Sequence, residues 1–255
     1  MAQILRRLLF AVTACVLTGA WSLSANRPTA LGPARRLDAS SDSTGKIQGK
    51  VDFEGTRPKL DRLDLKLADP FCVAAHPEPI YEEDGAVNAD GTLPNVFLYI
   101  KDGLKNKLPP PAEPAVLDQR DCIYVPHVLG VMVGQELRVL SSDPTTHNVH
   151  FLTKENKNWN VTQQPGTPAM VHRFTKPEIM IPLSCNKHPW MDGYVGVTAN
   201  PFHAVTGSEG TYTIEGLPPG TYTLAAWTAT FGTREQAVTV KADEVTRADF
   251  LFKGK

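Results

Sequence analysis

Cys185, His188 and Met191 lie in one run, Cys185-Asn186-Lys187-His188-Pro189-Trp190-Met191. A thiolate, an imidazole and a thioether at C-x2-H-x2-M spacing are soft or borderline metal ligands on a single short loop. His147, in Thr146-His147-Asn148-Val149-His150-Phe151, supplies a second imidazole from upstream. Two histidines, one cysteine and a weakly held methionine suit one-electron copper chemistry, because thiolate favours Cu(I) and imidazole serves both oxidation states. Each residue alone has a plainer explanation. A cysteine is most often a small buried apolar group and a methionine most often fills core. Their joint occurrence after a strand is what points to a metal.

These groups must be positioned by strands. Glu178 to Ser184 (EIMIPLS) and Gly193 to Ala199 (GYVGVTA) bracket the loop as strands. Pro189 stiffens the backbone between His188 and Met191. His147 must come from a separate strand, so the site depends on the fold. Asn148 is placed for its amide to tie the two ligand segments together. His150 is the alternative to His147, but three residues along an extended strand it faces the other side of the sheet. Met132, Met170 and Met180 fall on strands and read as core. Trp190 and Pro189 either form an apolar docking patch beside His188 or, in the plainer alternative, Trp190 packs inward. Asn160-Val161-Thr162 is a glycosylation sequon by pattern only.

The 255 residues carry 26 basic and 27 acidic side chains, and nothing in that balance suggests a nucleic-acid footprint, which would need a basic face. The N-terminus resembles an export signal. Arg6 and Arg7 precede the apolar run Leu8 to Trp21, which is short for a membrane span. Cleavage after Ala25 competes with cleavage after Ala20. A third alternative makes Val12-Thr13-Ala14-Cys15 a lipobox with Cys15 lipidated, the one route by which a membrane would be involved. Residues 26–45 are polar, rich in Pro, Gly and Ser, and read as a linker. The expected location is exported, in the periplasm or cell envelope, with a lipoprotein as the alternative.

Without Cys15, three cysteines remain: Cys72, Cys122 and Cys185. An odd count in an exported chain implies one pair and one thiol with another task. Cys72 and Cys122 are the expected disulfide, which closes a long loop and contributes about 3–4 kcal/mol. The rival is a second metal site from Cys72, His76, Cys122 and His127, whose spacings C-x3-H and C-x4-H permit it.

In order, the chain is a succession of short strands and turns. Lys46 to Phe53 (KIQGKVDF) is a strand. Residues 59–94 lack periodicity and read as a long excursion. Val96 to Lys101 (VFLYIK) is a strand, and Leu104 to Pro114 is a proline-rich connection. Short strands then run from Val116 to Ala199, with residues 153–168 left unassigned. Thr211 to Ile214, Thr221 to Trp227, Gln236 to Val240 and Ala248 to Phe252 complete an all-β pattern.

Tyr124-Val125-Pro126, the Gly134 turn, His147-Asn148-Val149-His150-Phe151 and the Cys185–Met191 loop together resemble the cupredoxin family, most closely amicyanin and plastocyanin-like proteins. The resemblance spans residues 115–200. It implies a Greek-key β-sandwich holding one type 1 copper, with His147, Cys185, His188 and Met191 as ligands. It also implies an exposed outer edge of His188 as the electron port. Ile47-Gln48-Gly49-Lys50-Val51 and the run from Gly210 to Leu224 resemble the carboxypeptidase regulatory-like, transthyretin-type sandwich. The whole layout is similar to bacterial methylamine-utilisation-type proteins. The expected fold is therefore all-β, a Greek-key cupredoxin β-sandwich combined with a second transthyretin-like β-sandwich. The expected domains are a signal peptide (1–25), a linker (26–45), a cupredoxin domain (105–200) and a split sandwich (46–104 plus 201–255). Two tandem domains with an N-terminal extension are the simpler alternative.

The implied function is an exported blue copper protein carrying single electrons. Its expected partner is a redox protein such as a c-type cytochrome or a periplasmic dehydrogenase. The alternative is a non-redox carbohydrate- or protein-binding β-sandwich, or a copper-capture protein. No enzyme activity is expected. Paired H-x-H motifs of multicopper oxidases, a second cysteine beside Cys185, G-x-S-x-G and H-E-x-x-H are all missing from the sequence.

Overall fold

Alternating burial along the strands builds two sandwiches. In Gly45–Glu54 (β1), Ile47, Gly49 and Val51 are buried while Gln48 and Lys50 between them are only partly so. The computed structural model describes residues 43–65 and 69–254. The expected signal segment, Cys15 with its lipobox, and residues 26–42 of the expected linker lie outside the described residues. Strand β1 opens at Gly45, at the very end of that linker. Among the described residues, no helix is long and apolar enough to cross a membrane.

A six-residue helix, Pro70–Ala75 (α1), lies in the excursion, which is otherwise irregular. Phe97–Asp102 (β2) follows. Nine strands then form one unit: Ala115–Arg120 (β3), Ile123–Val125 (β4), Val128–Met132 (β5), Leu137–Ser141 (β6), His147–Phe151 (β7), Trp159–Gln163 (β8), Met170–His172 (β9), Glu178–Ser184 (β10) and Asp192–Thr198 (β11). They form two sheets, in the orders β5-β11-β10-β7-β8 and β4-β3-β6-β9. Six strands close the chain: His203–Val205 (β12), Thr211–Leu217 (β13), Gly220–Thr228 (β14), Gly232–Val240 (β15), Val245–Arg247 (β16) and Phe250–Lys253 (β17).

The strands before and after the nine-strand unit pair with each other. β1 pairs antiparallel with β13 and parallel with β16 and β17. β2 sits between β12 and β14, and β15 continues that sheet. One core is built from Ile47, Val51, Leu98, Ile100, Tyr212 and Leu224 among others. A second, inside the nine-strand unit, holds Leu117, Tyr124, Val149, Phe151, Ile181 and Val195, with Cys185 and Met191 in the same cluster.

A third, smaller cluster joins the two sandwiches. Phe97 of β2 packs with Val128 and Met180, backed by Tyr194 and Trp227. Glycines make room for it. A Cβ at Gly196 would lie 2.6 Å from the Phe97 ring and 3.0 Å from the Met180 sulfur. The apolar contact therefore depends on two bare backbone stretches, Gly130 being the other.

Candidate metal centre

The centre forms where β7 begins and β10 ends. His147 is the first residue of β7, and Cys185 follows the last residue of β10. The two strands pair at Leu183↔Phe151 and Ser184↔His150, which brings their ends together. Tyr124 fastens that junction. Its hydroxyl, fully buried, donates to the carbonyls of Asn148 and Ser184. The loop after Cys185 folds on itself: Cys185 N–H donates to the Met191 carbonyl at 3.1 Å, and Met191 N–H to the His188 carbonyl at 2.9 Å.

Three donor atoms converge in the space so made. Nδ1 of His147 and Nδ1 of His188 are 3.0 Å apart, and Cys185 Sγ is 3.6 Å from His188 Nδ1. All three residues are buried, and the three ligand atoms lie within 4.8 Å of one another. Met191 is buried in the same apolar cluster as Cys185. Asn148 spans the ligand segments: its N–H donates to Cys185 Sγ at 3.3 Å, and its Oδ1 accepts from Asn186 N–H at 3.2 Å. Its Nδ2 donates to Asn160 Oδ1 at 2.7 Å, which holds the amide in that orientation. Pro189 is exposed on the loop. His150 points away and meets the Asn158 amide at 3.3 Å.

Asp143 is the residue that sequence reasoning missed. Its buried carboxylate contacts His147 Nε2 at 2.8 Å and accepts the backbone N–H groups of Asp121 and Cys122 at 2.7 and 2.8 Å. A carboxylate on Nε2 puts the imidazole proton there and leaves the Nδ1 lone pair bare. Its signal in the sequence was faint, an acid four residues before a candidate ligand in a Ser-Ser-Asp-Pro turn. Burial lowers the pKa of His147, against the opposing pull of Asp143. Burial, then the neighbouring His147, lowers that of His188. Both imidazoles are thus disposed to stay neutral, the state a metal requires. The donor set fits copper: two neutral imidazole nitrogens and a thiol sulfur meet at one buried point.

The environment of His188 differs from the expected one. The likeness to cupredoxins implies an exposed outer edge, but His188 is only 5% exposed. Helix α1 crosses over it. Cys72 on α1 is joined to Cys122 by a disulfide, with a Cα–Cα distance of 5.5 Å, and Cys72 Sγ lies 3.7 Å from His188 Nε2. Asp69 caps α1 and accepts from Thr145 Oγ1 at 3.0 Å. His76 binds the Asp121 carbonyl at the other end. A covalently anchored strap therefore covers the edge expected to be the electron port. Trp190 turns inward over the same place. Its Nε1 donates to the Cys122 carbonyl at 3.1 Å, and its ring lies 5.1 Å from that of His188. Trp190 also borders a cavity of about 310 Å³ with Tyr81, Glu82 and Asp192.

The rival metal site is not assembled. Cys72 and Cys122 are joined to each other, and His127 pairs with Asp84 at 2.9 Å.

Residues 194–253 match the model of the carboxypeptidase regulatory-like domain, a stretch that includes the Gly210–Leu224 run. No protein of curated function matches the chain. Similar solved structures include a copper-containing nitrite reductase from Thermus scotoductus SA-01, at 20% identity over 37% of this chain and 24% of that one, with a TM-score of 0.32. A purple cupredoxin from Nitrosopumilus maritimus is 22% identical over 33% of this chain and 99% of its own, with a TM-score of 0.29. An oxidised amicyanin mutant is 21% identical over 40% of this chain and 98% of its own, with a TM-score of 0.31. The chain spans about a quarter of the nitrite reductase's length.

Proposed function

We propose that the chain is a type 1 copper protein that carries single electrons, and that it is a carrier rather than a catalyst. The observation that carries this reading is the convergence of His147 Nδ1, His188 Nδ1 and Cys185 Sγ at one buried point. Met191 is the proposed fourth donor. A copper ion held there supplies one-electron exchange between Cu(I) and Cu(II). The chain's own part is to keep the donors still. Asp143 fixes the His147 ring, Asn148 ties the Cys185 loop to β7, and Tyr124 clamps the strand ends. Donors held this way need little rearrangement when the charge at the site changes, which favours fast exchange. Electrons would pass close to Trp190 and the strap, because the His188 edge is covered. The partner would be another redox protein, such as a c-type cytochrome or a dehydrogenase of the same compartment.

The proposed organisation is a cupredoxin domain, 105–200, set inside a sandwich made of 46–104 plus 201–255. Pairing of β1 and β2 with the C-terminal strands supports it. The proposed location is the periplasm or cell envelope, and the Cys72–Cys122 disulfide suits an oxidising compartment.

Voltammetry of the full chain loaded with one equivalent of copper tests the function. One reversible single-electron couple is expected, lost in Cys185→Ser. A wild-type protein with full copper occupancy and no reversible couple would overturn the reading.

A further inference from the structure

We propose a second soft-metal site, back to back with the first. It consists of Cys72, Cys122 and the outer nitrogen of His188, and it exists in the dithiol state of the cysteine pair. It shares His188 with the centre proposed above, and to that extent rests on that reading. It is not the Cys/His set with His76 and His127, which the fold does not bring together.

The residues are already gathered, although the bonded sulfurs must move apart on reduction before both can act as ligands. The two sulfurs and His188 Nε2 lie within 4.8 Å of one another, and all three residues are buried. On the other flank, Cys122 Sγ, an Asp143 oxygen and His147 are also mutually within 4.8 Å. Both imidazoles therefore face the first centre through Nδ1 and the cysteine pair through their outer side. The pair is not merely a staple near the surface, since it lies against the ligands themselves.

The backbone holds Cys122 there independently of the disulfide. Asp121 and Cys122 are successive non-glycine residues in the left-handed region, with φ of 54° and 58°. That conformation is costly and persists only where surroundings impose it. Here the Asp143 carboxylate imposes it by accepting both N–H groups. Cys72 is held by the capped helix and its Asp69–Thr145 contact. Breaking the S–S bond removes neither restraint, so two thiols remain aimed at one imidazole nitrogen. Two thiolates and an imidazole are a donor set for Cu(I).

The chemistry balances with a dithiol as reductant. The reductant supplies two electrons and two protons, the Cys72–Cys122 bond breaks to two thiols, and the reductant closes its own disulfide. Binding of Cu(I) then releases the two thiol protons. If Nδ1 of His188 were also engaged, its Nε2 proton would have to leave as well for that nitrogen to act as a donor.

The test is an anaerobic Cu(I) titration of the full chain against a chromophoric Cu(I) chelator. The disulfide form is expected to take one equivalent. The same protein reduced by a small dithiol, then freed of it, is expected to take two. Reduced Cys72→Ser and Cys122→Ser should each fall back to one. Reduced Cys185→Ser should keep one, and adding His188→Gln to it should weaken that equivalent about tenfold or more. The last comparison separates a built site from thiols in a loosened chain, which would not respond to residue 188. Reduced wild type stopping at one equivalent overturns the proposal, as does a second equivalent indifferent to Cys72→Ser. If the disulfide form takes none, the first centre fails. An equivalent gained on reduction and lost in Cys72→Ser would still establish the second.

Discussion

The Asp143 carboxylate meets His147 Nε2 at 2.8 Å, and both residues are buried. The carboxylate is held in turn by the two N–H groups of the Asp121–Cys122 turn. Its negative charge sits one imidazole away from the proposed copper, so it stabilises the more positive oxidation state. Asp143→Asn keeps the shape and removes the charge. Metal affinity is expected to fall about 10–100-fold, and the midpoint potential to rise. Isothermal titration and voltammetry on the variant check both. An unchanged potential would remove Asp143 from any role at the centre.

Tyr124 connects packing to the site. Its hydroxyl joins the Asn148 and Ser184 carbonyls, one on each ligand-bearing strand. Tyr124→Phe leaves the buried Asn148 carbonyl and the part-buried Ser184 carbonyl without this donor, at a cost of about 1–3 kcal/mol. Denaturant unfolding of the metal-free chain should show that loss. A variant as stable as wild type would mean that the strand ends are held by pairing alone.

The contact between the two sandwiches is testable through a glycine. Gly196→Ala would drive a Cβ into the Phe97 ring and the Met180 sulfur. Overpacking of this kind costs about 1–3 kcal/mol. Gly207→Ala is the control, because nothing lies within 4 Å of its Cβ position. Thermal unfolding should separate the two variants, and equal melting temperatures would argue against a tight contact at Phe97.

Histidine burial sets a pH dependence for the metal-free chain. Burial lowers the pKa of His172 and His203, and with them His147 and His188, below the ordinary imidazole value. A lowered folded-state pKa means that the unfolded chain binds more protons. Each group therefore withdraws stability as pH falls from about 6.5 toward its folded value. His127 acts oppositely. Despite burial, its bond to Asp84 raises its pKa, so its contribution is present at low pH and lost as pH rises through the raised value. His203 is wedged against Gly130 and the Phe97 ring. His203→Gln should flatten the fall of melting temperature below about pH 6.5. An unchanged slope would rule out His203 as a source of acid sensitivity.

Much of the fold is legible from alternation. β1, β13 and most of β14 follow period-two burial that the residues themselves display, whereas β2, β10 and β11 are apolar runs with successive buried residues. The short pieces are not so legible. β12 and β16 are three residues each, and β8 arises in a polar stretch because β7 offers it a pairing edge. Helix α1, six residues long, is defined by its Asp69 cap and its disulfide rather than by a hydrophobic period. At the centre, the convergence of His147, Cys185 and His188 was visible because ligand types at fixed spacing carry their chemistry locally. Asp143 and the strap over His188 were not, because they are set by which loops the fold brings together. The exposed His188 edge, expected from family likeness, failed for that reason.

The most direct test of the copper reading is the visible spectrum of the purified full chain with one equivalent of Cu(II). An intense thiolate-to-copper charge-transfer band is expected, absent in Cys185→Ser. A colourless wild-type protein with full copper occupancy would contradict it.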